Sequence, residues 1–347
     1  MRIYLDNGAT TKMSQAAIHA MLPYMDTIYG NPSSLHSAGQ AAAEALADAR
    51  QRIANCLGCS AAEITFTSGG SEADNQAILS AARLGERKGK KHIISTAFEH
   101  HAVLHTLKKL EKEGFAVTLL DVGSTGTVTP QQVADAIRPD TCLVTTMYAN
   151  NEIGSILPIS EIGAVCREAG VLFHTDAVQA FLKIPFRADT LGADLISVSA
   201  HKLGAPKGIG GLYLGERIRA PKPLIFGGGQ ESGLRSGTEA TGQIAGFAKA
   251  VELRADHLDE KLAHVAAIKA YAEEKLLALD GVVRIGDGTA AHILSISLVG
   301  YPSANVVTEL GAQGICISAG SACHRGQLSH VYRAMGLDKK TAAGVLR

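Results

Sequence analysis

The 347-residue sequence has no tryptophan and only 5% aromatic residues, and it has no excess charge of either sign. Its 33 lysines and arginines balance 33 aspartates and glutamates, which leaves no electrostatic footprint for nucleic acid or an anionic membrane. No run approaches the roughly 18 apolar residues of a membrane span, and the start, MRIYLDNGATT, lacks the features of a signal peptide. We therefore expect a cytoplasmic protein that binds neither nucleic acid directly nor a membrane.

Cysteine is scarce as well. Six cysteines in a chain of this length are typical of reduced thiols rather than of a disulfide framework. Cys56 and Cys59 form a CxxC pair, which invites a redox or metal interpretation, but no second pair or spaced histidines complete a zinc site. We therefore predict no metal and treat these two, like Cys142, Cys166 and Cys316, as packing residues. Cys323 differs, because AGSACHRG predicts an exposed loop in which His324 favours the thiolate.

Short apolar segments alternate with helical patterns along much of the chain. The segments that predict strands are EITFTS, HIISTAFEHHAVL, FAVTLLDV, CLVTTMYANNEIG, VLFHTDA and DLISVSAHK. Together with a hydrophobic fraction of 46%, this βαβ rhythm predicts an α/β fold, in which helices cover both faces of a mainly parallel sheet.

The pattern changes after GGGQESGLRSGTEA. One long helix is predicted by IAGFAKAVELRADHLDEKLAHVAAIKAYAEEKLLAL, and the alternating segments HILSISLVG and ICISAGSAC predict another small sheet. We therefore place a large domain at residues 15–250 and a smaller α+β domain at residues 1–14 and 251–347.

Two apolar segments end at Asp176 and Lys202. The interval between them leaves room for the crossover that parallel strands need, and the carboxyl ends of such strands form the ligand-binding edge of α/β sheets. Taken singly, Lys202 fits a solvated surface lysine and Asp176 fits a helix cap. As a pair they suit pyridoxal phosphate, because the amine can form a Schiff base with the aldehyde while the carboxylate keeps the pyridine nitrogen protonated.

The segment TSGGSEADN has the form of a phosphate cradle. Its glycines, including Gly70, let the backbone approach an anion, and the helix that follows points its positive end there. Such turns are common, so the motif alone is weak; Ser199 and His201, beside Lys202, could donate to the same phosphate. No GKS or GKT occurs, which disfavours a nucleotide triphosphatase.

Two polar pairs follow predicted strands. His100 and His101 in FEHHAVL fit either a helix cap or an imidazole stacked on a cofactor ring. Asn150 and Asn151 in ANNEIG fit turn residues, although one of them could hold a substrate carboxylate or a phenolic oxygen. Both alternatives stay open on the residues alone.

Taken in order, the motifs closely resemble those of the cysteine desulfurases, pyridoxal-phosphate enzymes of the class V aminotransferase superfamily. The resemblance runs through YLDNGATT, GNPSSLHSAG, EITFTSGGSEADN, EHHAVL, NNEIG, HTDAVQA, SAHK, PKGIGGLYL, GGGQESGLRSGT and ISAGSAC, and so covers essentially the whole chain. It implies an aspartate-aminotransferase-like large domain with a seven-stranded sheet, a homodimer, and conversion of L-cysteine to L-alanine.

The resemblance also implies a role for each site residue. These roles are Lys202 as the Schiff-base lysine, Asp176 as the pyridinium partner, His100 on the ring, Gln179 on the phenolic oxygen, Gly70, Ser71, Ser199 and His201 at the phosphate together with Thr238 from the neighbouring subunit, Asn151 and Arg347 at the substrate carboxylate, and Cys323 as the sulfur acceptor. A persulfide on Cys323 would then pass its sulfur to an acceptor protein of iron–sulfur cluster or thiolated-tRNA biosynthesis.

The sequence departs from the family pattern at several positions. Gly8 stands where alanine is usual, Ser71 where threonine is usual, and the spacer HRGQL after Cys323 is short. The resemblance stops at Arg347, where family members normally continue, so we expect a frayed carboxylate clamp and a small domain that lacks part of its cover. The alternatives are a selenocysteine lyase or another class V enzyme and, from a different class, an inactive sulfur-transfer scaffold.

Overall fold

The structure, a computed structural model, describes residues 2–320 and 328–347. Its helices are α1 Gln15–Met21, α2 Pro23–Asp26, α3 Ser37–Leu57, α4 Gly70–Glu86, α5 His101–Lys112, α6 Pro130–Ala136, α7 Ile159–Glu168, α8 Ala188–Leu191, α9 Thr241–Ala255, α10 Leu258–Leu277, α11 Ser303–Ala312, α12 His330–Ala334 and α13 Lys339–Ala343. Short 3-10 helices lie at Ala61–Glu63, Ala200–Lys202 and Glu231–Gly233.

The strands follow the apolar segments of the sequence. They are β1 Ile3–Tyr4, β2 Ile64–Thr67, β3 His92–Thr96, β4 Ala116–Leu120, β5 Thr141–Met147, β6 Leu172–Asp176, β7 Leu195–Ser199, β8 Gly210–Leu214, β9 Val282–Arg284, β10 Ile296–Leu298, β11 Ile315–Cys316 and β12 Val345–Leu346. Each predicted strand segment of the large sheet contains one of them.

A seven-stranded sheet forms the centre of the molecule, with the strand order β2-β8-β7-β6-β5-β3-β4. Only β8 runs antiparallel to its neighbours, so the predicted α/β class with a mainly parallel sheet is confirmed. β6 and β7 pair directly in parallel, with Asp176 opposite Ser197, and the two segments that end at the candidate aspartate and lysine are therefore adjacent strands.

Helices cover both faces of this sheet, as predicted. Successive strand residues point to opposite faces, and in β3 the buried Ile93 packs with the cluster beneath α4 and α5, whereas Ile94 belongs to the larger cluster that includes residues of α3 and α9. Because both faces are buried, the strands read as continuous apolar runs rather than alternating ones. α3 ends at Gly58, whose φ of 78° closes the helix in the left-handed conformation.

Two predictions for the second half of the chain are wrong. The long helical stretch is divided into α9 and α10 at His257, which has a φ of 51°, and the Lys261 amine donates to the carbonyls of Leu253 and Asp256 at that break. No glycine or proline marks this position in the sequence. The segments HILSISLVG and ICISAGSAC also lie in separate sheets: β10 pairs with β9 and β12, whereas β11 pairs with β1.

None of the helices within the described part of the chain combines the length and the apolar character that crossing a membrane requires.

Candidate active site

The carboxyl ends of the central strands open onto a cavity of about 310 Å³. β5, β6 and β7 end there at Met147, Asp176 and Ser199. The predicted site residues that line it are Gly70, Ser71, His100, Asn151, Asp176, Gln179, Ser199, His201, Lys202 and Arg347. One edge of one sheet therefore collects residues that are far apart in the sequence.

Lys202 ends the short 3-10 helix that follows β7. Its Nζ donates to the carbonyl oxygens of Gly8, at 2.8 Å, and Ala9, at 2.6 Å. The N-terminal segment is held against the same loop, because Thr11 Oγ1 donates to the carbonyl of His201 at 2.7 Å. Neither Gly8 nor Ala9 is marked as a partner of this lysine by the sequence, although both lie in the motif YLDNGATT.

Asp176 is buried at the end of β6, and its Oδ1 accepts a hydrogen bond from Val178 N at 2.9 Å. Burial raises the pKa of Asp176, while the nearby His100 and Lys202 act in the opposite direction. A carboxylate in this position is stabilised by a cationic partner, which is what a protonated pyridine nitrogen supplies.

Two further buried acids, Asp74 and Glu99, were missed by the sequence analysis. Asp74 lines the cavity, and burial, reinforced by the charge of Asp176, raises the pKa of Asp74 well above its usual value. Burial likewise raises the pKa of Glu99 to about 8. His174 Nε2 lies 3.6 Å from Asp74 Oδ1, and burial lowers the pKa of His174 to about 3. Burial raises the pKa of all three acids, but for Asp176 the nearby His100 and Lys202 act in the opposite direction, which favours Asp176 as the ionised carboxylate.

A weak signal for Asp74 was present in the sequence. Asp74 follows Ser71 by three positions in α4 and Gly70 by four, and residues at those spacings share one face of a helix. The predicted phosphate motif therefore already placed this acid on the side that faces the site.

His100 caps a helix and also lines the cavity, whereas its stacking on a cofactor ring stays a prediction. Its Nδ1 accepts a hydrogen bond from Ala102 N at 3.2 Å and so caps α5, and the same ring lines the cavity. Burial lowers the pKa of His100, with Lys202 and His105 contributing in the same direction. Because Nδ1 accepts, a neutral ring carries its proton on Nε2.

The N-terminus of α4 forms an anion cradle. A second cavity of about 470 Å³ shares Ala9, Gly70, Ser71, Ser199 and His201 with the first, and the leading N–H groups of a helix have no partner within the helix. Glycine is required at position 70, since a Cβ there would come within 2.7 Å of Val178 Cγ2. Burial lowers the pKa of His201 to about 4, and the neutral ring can still donate one N–H.

Arg347 and Asn151 come together at the cavity, where Arg347 Nη1 donates to the carbonyl of Asn151 at 2.7 Å. The expectation that Arg347 frays is wrong. Its backbone exchanges hydrogen bonds with Ser318, and its guanidinium, with only 5% of the side chain exposed, pairs with Asp6 at 2.8 Å. Asn150 is the turn residue of the pair, because its Oδ1 accepts from the backbone N–H of Glu152 at 2.8 Å.

Gln179 connects the N-terminal segment to a buried lysine. Its Nε2 donates to the Gly8 carbonyl at 2.8 Å, and its Oε1 accepts from Lys183 Nζ at 2.9 Å. Lys183 was missed, because nothing in the sequence FLKIPF distinguishes a buried lysine from a solvated one.

Among the described residues, the other site candidates singled out from the sequence do not line this cavity. Thr238 is exposed and does not line it, and Cys323 lies outside the described residues. Cys56 and Cys59 are free, half-buried thiols, and burial raises the pKa of Cys59 to about 12, which disfavours the reactive thiolate. Among residues 2–320 and 328–347, no group of histidine, cysteine and carboxylate side chains could hold a metal ion.

These residues fit pyridoxal phosphate. The helix end with Ser71, Ser199 and His201 provides donors for a phosphate, and the buried Asp176 provides the acceptor for a pyridinium N–H. Lys202 lines the same cavity between them, so an aldehyde has an amine within reach. His100 contributes a neutral aromatic ring beside the cofactor position.

Comparisons with known proteins agree with this site. The family model for class-V aminotransferases matches residues 3–347. A cysteine desulfurase of Nostoc sp. is 42% identical over 350 residues, which cover 99% of this chain and 87% of the relative.

Solved structures give the same result. A NifS-like protein superposes with a TM-score of 0.93 at 36% identity, covering 100% of this chain and 93% of its own. The protein SspA in complex with cysteine has a TM-score of 0.87 at 35% identity, with 100% and 98% covered. On its matched family model, its relatives and its site, the chain belongs to the class-V aminotransferases and, among them, to the pyridoxal-phosphate-dependent cysteine desulfurases.

Proposed function

We propose that this protein converts L-cysteine to L-alanine and receives the sulfur as a persulfide on Cys323. The observation that carries the proposal is the single cavity at the carboxyl edge of the sheet, which brings Lys202, Asp176 and His100 together with the N-terminus of α4. The solved structure of SspA with cysteine, a relative at 35% identity, supports cysteine as the substrate.

Bound pyridoxal phosphate supplies an electron sink that stabilises negative charge at Cα of an amino acid. Asp176 keeps the cofactor nitrogen protonated, and the α4 terminus with Ser71, Ser199 and His201 holds the phosphate. Arg347 and Asn151 bind the substrate carboxylate; Arg347 already forms a charged pair with Asp6 in this position. The Lys202 amine takes the proton from Cα and returns a proton to the product.

Sulfur transfer needs a nucleophile for the substrate sulfur. The Cys323 thiolate attacks that sulfur, so the substrate C–S bond breaks while a new S–S bond forms. The substrate carbon is reduced to the methyl group of alanine, and the transferred sulfur is held as the persulfide, which balances electrons without another oxidant. The persulfide then passes to an acceptor protein.

Alanine formation from L-cysteine tests the proposal. The purified protein with pyridoxal phosphate and a reductant should release alanine, and Cys323→Ser should abolish the release. Cys56→Ser removes a half-buried thiol far from these roles and serves as the matched control, with activity retained. Turnover that persists in Cys323→Ser would contradict the thiol's role and favour another class V reaction, such as selenocysteine cleavage.

We also propose a homodimer in which Thr238 of one subunit completes the phosphate site of its partner. Several large apolar side chains are almost fully exposed in the single chain, including Tyr29 at 76%, Leu35 at 91% and Phe226 at 79%, and a dimer interface that covers them would remove this apolar surface from water. Light scattering should give twice the chain mass of 36.2 kDa, and a monomer that binds the cofactor with full affinity would contradict the arrangement.

The acceptor of the persulfide sulfur, in our proposal, is a protein of iron–sulfur cluster or thiolated-tRNA biosynthesis in the cytoplasm. A reducing compartment suits the five described cysteines, which are all free thiols. Transfer of labelled sulfur from L-cysteine to a purified scaffold or thiolation protein should depend on Cys323. Labelled sulfur that appears only as free sulfide would contradict this part of the proposal.

A further inference from the structure

Lys183 is a buried lysine that the proposed chemistry does not use. Only 5% of its surface is exposed, although lysines are almost never this deeply buried unless the amine is paired. Burial lowers the pKa of Lys183 well below its usual value, and the charges of Arg254, Lys202 and Arg347 act in the same direction. Its amine therefore lies near other basic side chains.

The hydrogen bond that the structure gives this amine leads to the active site. Lys183 Nζ donates to Gln179 Oε1 at 2.9 Å, and Gln179 Nε2 donates to the Gly8 carbonyl at 2.8 Å. That carbonyl also accepts from Lys202 Nζ at 2.8 Å. Gln179 and Lys202 line the cavity, whereas Lys183 does not.

The chemistry of its two partners fixes the orientation of the Gln179 amide. A backbone carbonyl can only accept, so Gly8 selects Nε2, and Oε1 is left to accept from the Lys183 amine, which in its ammonium form can only donate. Rotating the amide by half a turn would place the Gln179 NH2 group against the Lys183 amine and the Gln179 oxygen against the Gly8 carbonyl oxygen. The amide is therefore determined by its neighbours from both sides.

The backbone that presents Lys183 is itself constrained. The preceding residue, Leu182, has a φ of 53° in the left-handed region, which is costly for a residue with a side chain. Its carbonyl accepts a hydrogen bond from Arg254 Nε at 2.8 Å, which holds the turn in place. A strained turn that a half-buried arginine maintains is consistent with a lysine whose position matters.

We propose that Lys183 is a positioning residue, which holds the Gln179 amide with its NH2 group on the Lys202 side, where it would donate to the phenolic oxygen of bound pyridoxal phosphate. This inference rests on the proposed function. An NH2 group stabilises a negatively charged oxygen, whereas a rotated amide would oppose it with a carbonyl oxygen. Lys183 acts on the cofactor through Gln179 and touches neither cofactor nor substrate.

Lys183→Met removes the amine while keeping an unbranched side chain of similar length. The dissociation constant of pyridoxal phosphate should rise about 5- to 10-fold, the loss expected for one hydrogen bond. The pH midpoint of the bound cofactor's absorbance change should move upward by about 0.5 to 1 unit, because an anionic oxygen that loses a donor binds its proton more tightly. Lys269→Met is the matched control, since Lys269 donates to the backbone carbonyls of Gly288 and Ala290 and does not line the cavity.

A double-mutant cycle separates positioning from a packing role. If Lys183 acts through Gln179, then Lys183→Met should cause no further shift of the absorbance midpoint in a Gln179→Ala background. An equal shift in both backgrounds, or an unchanged midpoint in Lys183→Met, would overturn the inference. Lys183→Arg keeps a donor and should retain the wild-type midpoint even if the methionine variant fails to fold; a large shift in Lys183→Arg would assign the effect to packing and overturn it too.

The same measurements distinguish this inference from the proposed function. Wild-type protein that binds no pyridoxal phosphate would overturn both. Wild-type protein that binds the cofactor and releases alanine, together with a Lys183→Met variant that has unchanged cofactor affinity and midpoint, would overturn the role of Lys183 alone.

Discussion

In the seven-stranded sheet every residue of β5 and β7 is buried, whereas α10 and α11, which pack beside the small sheets, contain no buried residue. The first region positions Asp176, Ser199 and Lys202 at the ends of strands in a sheet that helices cover on both faces. The second region contributes Arg347, which is held by specific hydrogen bonds to Ser318, Asn151 and Asp6. In the proposed function, the large sheet supplies the cofactor site and the small sheets supply a substrate contact.

The largest expected effects test this division directly. Lys202→Ala should lower turnover on the order of 10⁴-fold or more, because it removes the nucleophilic amine, and borohydride should no longer link pyridoxal phosphate to the chain.

Arg347→Ala should keep the cofactor bound and lower kcat/KM for L-cysteine by about 10- to 100-fold, the value of a hydrogen bond to a charged group. Cofactor lost in Arg347→Ala would break the comparison.

The loss of stability caused by truncating a large side chain should also differ between the two regions. Phe173 in β6 is 0% exposed and Tyr271 in α10 is 65% exposed. Phe173→Ala should lower the free energy of unfolding by about 3–5 kcal/mol, and Tyr271→Ala should change it by less than about 0.5 kcal/mol. Urea unfolding of the two variants measures both values, and equal losses would show that the outer helices carry stability as the sheet does.

The buried acids of the large sheet should make its stability depend on pH. Burial raises the pKa of Glu99 from 4.5 to about 8, so the folded state retains a proton that the unfolded chain loses. The stabilisation is complete below pH 4.5 and is lost as the pH rises to about 8. Glu99→Gln should therefore gain stability relative to the wild type across this window, in urea titrations without pyridoxal phosphate. A constant difference between the two proteins would contradict a neutral Glu99.

The smallest effect is expected where the two regions meet, at Gly8. A Cβ at this position would lie 3.1 Å from Arg347 Nε and 3.2 Å from Cζ, which is tighter than ordinary contacts. Gly8→Ala should displace the guanidinium slightly and raise KM for L-cysteine about 2- to 5-fold, with kcat nearly unchanged. Steady-state kinetics test this, and a changed kcat with constant KM would place the effect on Lys202, which bonds the Gly8 carbonyl, instead of on Arg347.

The sequence predicted the site best where apolar strands stop at polar residues, as at Asp176 and Lys202, because the parallel sheet brings such ends to one edge. The resemblance to a family was needed for Gln179 and Arg347, which no local pattern marks. Asp74 and Lys183 were missed because a charged residue normally predicts a solvated surface, and their burial depends on packing between distant segments.

Errors in the fold have the same origin. The break between α9 and α10 depends on Lys261 bonding carbonyls of the preceding helix, and propensity alone predicts one continuous helix there. The antiparallel β8 and the pairing of β11 with the N-terminal β1 are long-range choices. The periodicity of apolar residues predicts that a segment forms a strand, but it does not predict which other strand it pairs with.

The N-terminal segment reaches the active site across the whole length of the chain. Its Gly8 carbonyl bonds Lys202, 194 positions later, and Asp6 bonds Arg347 over a separation of 341. On a ribosome that adds about 5–20 residues per second, Asp6 waits roughly 20 to 70 s for its partner. The N-terminal strand β1, which pairs with β11, must likewise wait for most of the chain, and the carbonyl partners of Lys202 are in the polypeptide long before the lysine itself is synthesised.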